Sequence, residues 1–174
     1  MAAAQVGGLL AERGCRTIYG GGNVGLMGIL ADAALAAGGE IIGVIPQALV
    51  KRELAHQGCT ELRIVNSMHE RKFVMADLAD AFLALPGGWG TFEELCETLT
   101  WIQLGIHSKP CGLLNVCGYF DPLIAMFDRA VEERFLKPQY RELLIVEEDP
   151  AAVLDRLKSA RRPAIPRWLE PEAR

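Results

Sequence analysis

The chain has 174 residues, of which 51% are hydrophobic and 23% charged, with a formal net charge of −4 at pH 7. This is enough for one domain with a sizeable core, and the acidic balance argues against a nucleic-acid partner. No apolar run approaches the length of a membrane span, so no membrane partner is expected.

Met1 to Leu10 carries no basic n-region of a signal peptide. Cys15, Cys59, Cys96, Cys111 and Cys117 show no paired ligand spacing, and most read as small core residues. The expected setting is reduced and cytoplasmic. His56, His69 and His107 are far apart and form no H-E-x-x-H pattern, so no metal site is expected.

The pattern predicts a helix over Ala3 to Arg13 and a short strand over Arg16 to Tyr19, running into Gly20-Gly21-Gly22-Asn23-Val24-Gly25. A helix over Leu26 to Ala37 is closed by Gly38-Gly39. Strands follow over Glu40 to Ile45, ended by Pro46, and over Glu61 to Val65, then a helix from Met68 to Ala79. The apolar run Ala81 to Leu85 reads as a buried strand and Thr91 to Leu104 as a helix. Strands over Cys111 to Val116 and Leu143 to Val146 alternate with helices over Pro122 to Phe135 and Pro150 to Ala160.

Such alternation implies a parallel sheet with helices on both faces. The expected fold class is α/β: a single Rossmann-like doubly wound domain over residues 1–161, with a loosely held Pro-rich tail over 162–174. Such a sheet normally begins with its central strand. This chain begins with a helix, so the usual first strand is expected to be lacking.

The chemistry concentrates in Pro86-Gly87-Gly88-Trp89-Gly90-Thr91-Phe92-Glu93-Glu94. Three glycines let the backbone turn sharply and approach a ligand, and the free N–H groups of the following helix favour an anion such as phosphate. The same residues also fit a capping box, Thr91-x-x-Glu94, in which two side chains satisfy the helix start. The first Gly-rich turn lacks the Lys-Ser/Thr ending of a P-loop and an acidic residue placed for a dinucleotide ribose. It reads equally as a tight packing turn or as part of the site, with Gly21 and Gly22 its ligand-side candidates. Arg71 and Lys72 near a helix start oppose the macrodipole. They are either an exposed basic pair or part of a site on the same sheet edge as the phosphate turn. Glu53 by itself reads as a solvated charge.

Together these residues resemble the Lonely Guy (LOG) family of nucleoside 5′-monophosphate phosphoribohydrolases, over roughly Leu9 to Leu157. The signature P-G-G-x-G-T-x-x-E is matched by Pro86 to Glu94, and Met-x-x-Arg-Lys by Met68, Arg71 and Lys72. Tyr19-Gly20-Gly21-Gly22, Gly25-Leu26-Met27-Gly28, Gly43-Val44-Ile45-Pro46 and Trp101 to Pro110 match in the same order. The resemblance implies hydrolysis of cytokinin riboside 5′-monophosphates, and of AMP in bacterial members, to free base and ribose 5-phosphate. It places the catalytic pair on Arg71 and Glu94. It places substrate contacts on Glu53, Lys72, Gly87, Gly88, Trp89, Gly90, Thr91, Phe92, Glu93 and Thr100. It implies a homodimer and calls for no cofactor. Many relatives carry a lysine decarboxylase label, but no lysine here has a recognisable Schiff-base context.

Cleavage builds positive charge at the anomeric carbon, which an ionised Glu94 would stabilise. Arg71 stays protonated and would grip phosphate. The alternative is a non-catalytic nucleotide- or molybdenum-cofactor-binding module on the same fold. Such a module needs no carboxylate at that carbon.

Overall fold

The computed structural model describes residues 2–50 and 55–160. The chain divides into two compact units, Met1–Ala79 and Asp80–Arg174. The expected tail and Glu53 lie outside the described residues.

In the first unit the order is α1 (Ala2–Glu12), β1 (Thr17–Tyr19), α2 (Leu26–Ala36), β2 (Ile41–Pro46), β3 (Glu61–Val65) and α3 (Met68–Leu78). The strands form a parallel sheet, β1-β2-β3, with Thr17 paired to Ile41 and Ile42 to Glu61. The central β2 is buried throughout, as expected of a strand whose residues from Ile41 to Ile45 are branched apart from Gly43. Its residues alternate between two helical layers. Ile41 packs with Tyr19 and with Ala31 and Ala34 of α2. Ile42 and Val44 pack with Val65 and with Val74, Met75 and Leu78 of α3.

The outer helix α1 lies on α2 at close range because Gly7 has no side chain. A Cβ there would sit 2.3 Å from the Leu30 carbonyl oxygen and 3.0 Å from the Ala34 nitrogen. Both are helix backbone atoms that cannot swing away. Gly7→Ala is therefore expected to cost about 1–3 kcal/mol through overpacking. Gly8, whose Cβ would meet nothing within 4 Å, is the control. Gly8→Ala should raise stability by up to about 1 kcal/mol through helix propensity. Thermal melts of the two variants should shift in opposite directions.

In the second unit the order is β4 (Phe82–Ala84), α4 (Trp89–Gln103), β5 (Cys111–Leu114), a 3-10 turn (Val116–Gly118), α5 (Asp121–Glu132), α6 (Pro138–Arg141), β6 (Leu144–Glu147) and α7 (Pro150–Ser159). The sheet is parallel, β4-β5-β6, with a fully buried β5 at its centre. Leu113, Leu144 and Phe120 share a core with Leu95 and Ile102 of α4. Val153 and Leu157 of α7 close over Gly112, with the nearest approach to a Cβ built there at 3.1 Å.

The α/β class with parallel strands and covering helices is as expected, and most element boundaries fall within a few residues of the predicted ones. Two features differ. The strands form two three-stranded sheets, not one continuous sheet, and β1 and β4 are each an edge strand of three residues. The short helix α6 was not anticipated, since a four-residue turn carries no periodic signal.

Candidate active site

The turn Pro86 to Gly88 follows the carboxyl end of β4, where parallel sheets present their ligands. Helix α4 starts at Trp89, not Thr91, with Gly88 as its N-cap and no side chain capping it. Its first backbone bond runs from the Phe92 N–H to the Gly88 oxygen at 3.1 Å. The amides of Trp89, Gly90 and Thr91 therefore have no partner within the helix.

This corrects the capping-box expectation: Thr91 is the third helical residue and Glu94 the sixth. The cause is local. A Cβ on Gly87 would lie 2.2 Å from the Thr91 Oγ1, so the threonine hydroxyl is folded into the space that Gly87 leaves. A helix start of this kind, with glycine at its N-cap, is one whose positive end favours an anion.

Along α4, Glu93 is exposed and Glu94 half-buried. Trp89 is 88% exposed at the lip of the turn, edge-on to Phe92 at 6.2 Å, and Phe92 is edge-on to Phe120 at 6.4 Å. Thr100 lies farther down, about 16 Å along the helix axis from Trp89. Its hydroxyl donates to the Cys96 carbonyl at 2.7 Å, and it lines a cavity of about 230 Å³ with Leu99, Phe127 and Leu136. Within one chain Thr100 does not converge on the turn.

The first unit carries the other predicted elements. Helix α3 has its own cap: the Ser67 hydroxyl accepts from the Glu70 N–H at 3.1 Å, and the Glu70 carboxylate accepts from the Asn66 N–H at 2.7 Å. Glu70 thus offsets the penalty of basic residues near this helix start. Lys72 is half-buried. Arg71 is not the exposed cation of the solvated-pair reading. It is only 7% exposed, and among the described residues its Nε has no hydrogen-bond partner. Its Nη1 faces the Met68 sulfur at 3.7 Å.

Gly20 makes room for this guanidinium, since a Cβ at Gly20 would lie 1.9 Å from Nη2. The first Gly-rich turn is therefore in part a packing turn, and what it packs against is Arg71. Gly21, at φ 76°, turns the chain so that Gly22 can bridge to Ala55.

Sequence reasoning missed two groups that hold these turns. His56 is buried, donates its backbone N–H to the Gly21 oxygen at 2.9 Å, and meets Asp32 through Nε2 at 2.9 Å. Its Nδ1 accepts from the Gly58 N–H at 3.1 Å, which assigns the proton to Nε2. Tyr119 donates its hydroxyl to the Gly87 carbonyl at 2.6 Å. Neither pairing has a local signal, because the partners lie 24 and 32 residues apart. His107, by contrast, is a packing residue. It stacks on Phe82 at 5.2 Å, at the start of β4 and away from the turn, and burial pushes its pKa down to about 4.

With this geometry in place, the comparisons with known proteins are specific. The family model described as "Possible lysine decarboxylase" matches residues 27–157. The rice protein "Probable cytokinin riboside 5'-monophosphate phosphoribohydrolase LOGL1" is 53% identical over 144 residues, covering 83% of this chain and 65% of that relative. The Arabidopsis thaliana "Cytokinin riboside 5'-monophosphate phosphoribohydrolase LOG3" is 50% identical over 144 residues, covering 83% of this chain and 67% of its own length. The chain belongs to the LOG family.

It spans about two thirds of the length of these LOG relatives. Among solved structures, the molybdenum cofactor binding protein of Rippkaea orientalis matches with a TM-score of 0.69 at 23% identity, over 90% of this chain and 84% of that one. The molybdenum cofactor carrier protein of Chlamydomonas reinhardtii matches with a TM-score of 0.67 at 21% identity, over 90% and 86%. At such identities the likeness is one of fold, and it places this LOG-family chain among Rossmann-like α/β proteins.

Proposed function

We propose that the chain hydrolyses the N-glycosidic bond of nucleoside 5′-monophosphates, namely cytokinin riboside 5′-monophosphates and AMP. The products are the free base and ribose 5-phosphate. The observation that carries this reading is the uncapped start of α4. Among the described residues it presents three amides without a helical partner, directly within the Pro86 to Glu94 motif that carries the resemblance to the LOG family. A phosphate supplies the anion that this helix end favours. The resemblance to the LOG family adds Arg71 as a second cationic group; it is buried, and among the described residues its Nε has no hydrogen-bond partner.

In this reaction the bond from C1′ to the base nitrogen breaks and water adds to C1′. One water proton goes to the departing base. The ribose passes through an oxocarbenium-like state, and an ionised Glu94 stabilises that charge more than it stabilises the ground state. It also orients the water as general base. A guanidinium is a poor proton donor, so the work assigned to Arg71 is grip and orientation of the phosphate. Lys72 and Glu53 are assigned to substrate contact on the same reading. The homodimer that the resemblance implies and the expected cytoplasmic setting belong to this proposal too. Exposed Ile106, Met126 and Phe135 in the second unit offer apolar surface to a second copy. No helix among the described residues is long and apolar enough to cross a membrane.

The test is to incubate the purified chain with AMP, isopentenyladenosine monophosphate and adenosine, and to measure released base. The monophosphates are expected to exceed adenosine in kcat/KM by on the order of a hundredfold, because phosphate binding energy positions the reacting bond. Equal rates would remove the phosphate from the reading. Nucleotide binding without release of base would favour the non-catalytic module instead.

A further inference from the structure

We infer that Tyr119 is a positioning residue for the anion-binding turn, acting through the direction of one peptide plane. The inference rests on the phosphate reading of that turn. Its observation is the 2.6 Å hydrogen bond from the Tyr119 hydroxyl to the Gly87 carbonyl. In a trans peptide the carbonyl and the next N–H lie in one plane and point opposite ways. Fixing the Gly87 oxygen therefore fixes the Gly88 N–H, directed away from Tyr119. That N–H immediately precedes the uncapped amides of Trp89, Gly90 and Thr91. The plane in question is flanked by two glycines, the residues that restrain it least. A glycine pair suits close approach of a ligand, but it leaves the peptide free to turn its oxygen toward the anion. An external latch removes that freedom.

Tyr119 is itself held firmly enough to serve. It follows β5 on a turn that reverses through Cys117 at φ 52° and Gly118 at φ 69°. The side chain of Asn115, 4% exposed, closes this turn from inside. Its Oδ1 accepts from the Phe120 N–H at 2.8 Å and its Nδ2 donates to Asp121 at 2.7 Å. The Asn115 N–H donates to the Glu147 oxygen at 2.7 Å, tying the turn to β6. The phenol ring leans edge-on against the buried Phe120 at 4.9 Å. Phe120 in turn meets Phe92 of α4. Tyr119 is itself 49% exposed, so it is the contact of one ring edge with Phe120 that aligns the hydroxyl with the helix whose start it serves.

Tyr119→Phe removes one oxygen and keeps the ring. The test compares this variant with the wild type, both as the full chain, by thermal melting, by KM and kcat on AMP, and by titration with inorganic phosphate. Trp89, in the turn itself, supplies a fluorescence signal for the titration. The expected result is a melting point within a few degrees of wild type and a kcat within about twofold, with both KM and the phosphate dissociation constant raised about tenfold. Unchanged phosphate affinity and KM would overturn the inference. So would a loss of kcat at unchanged KM, which would put the hydroxyl in the chemical step. A wild type that binds phosphate but releases no base would overturn the enzyme reading, and the phosphate titration would still decide the role of Tyr119. A wild type that binds no phosphate would overturn both.

Discussion

Glu94→Gln is expected to fold like the wild type and to lose turnover on AMP by on the order of a hundredfold or more, while Glu93→Gln keeps most of its activity. The two neighbours are about 100° apart around α4, and they differ in setting: Glu93 is exposed and Glu94 half-buried. The structure makes the test cleaner than the motif alone allows. Had Glu94 been the third residue of the helix, it could have been a capping partner, and its loss would have mixed stability with function. The N-cap is Gly88, and no side chain caps the helix. Exchange of the carboxylate for an amide of the same shape removes the charge without removing a cap at the N-terminal glycine. Thermal melting together with kcat on AMP decides the matter. Near wild-type turnover by Glu94→Gln would leave the reaction without its assigned charge.

Arg71→Met should separate stability from activity in the opposite sense. A buried cation without an ion-pair partner costs desolvation energy that an apolar side chain of similar length does not. Arg71 is 7% exposed, with its Nε unpartnered among the described residues. Replacement by methionine is expected to stabilise the fold by about 1–3 kcal/mol and to raise the melting temperature by several degrees. Turnover should fall by on the order of a hundredfold or more. Gly20→Ala is the companion variant: its Cβ would contact Nη2 at 1.9 Å and displace the guanidinium while leaving arginine in the chain. It should also lose activity. A destabilised Arg71→Met that still cleaves AMP would make Arg71 a packing residue and remove it from the mechanism.

The layered architecture was legible because burial writes itself directly into sequence. Ile41 to Ile45 is apolar or glycine at every position, which only a strand covered on both faces tolerates, and the structure buries it throughout. The two Gly-rich turns were legible as glycine clusters between a strand and a helix. The start of α4 was not. Thr91 is a good cap by type, and the contact between its hydroxyl and Gly87 is what moves the boundary back to Gly88. The division into two sheets was also hidden, since an apolar run shows that a strand is buried but not which strand it pairs with. Arg71 could be picked out by its motif, yet its burial against Gly20 depends on β1 and α3 meeting in space. The same holds for Tyr119 on Gly87 and for His56 on Asp32, hydrogen bonds between residues far apart in the chain.

The pairing order of the strands has a consequence for how the chain acquires its structure. Both sheets are assembled from strands consecutive in sequence, β1-β2-β3 and then β4-β5-β6. No strand waits for a partner beyond its immediate successor, so each pairing closes a modest loop and the entropy of closure stays small. During synthesis, all strands of the first unit's sheet are outside the ribosome once Val65 has emerged, before any residue of β4 emerges. The second sheet then follows in the same way, one strand at a time. This is a vectorial topology, suited to folding as the chain emerges, with few unpaired strands exposed to other chains at any moment.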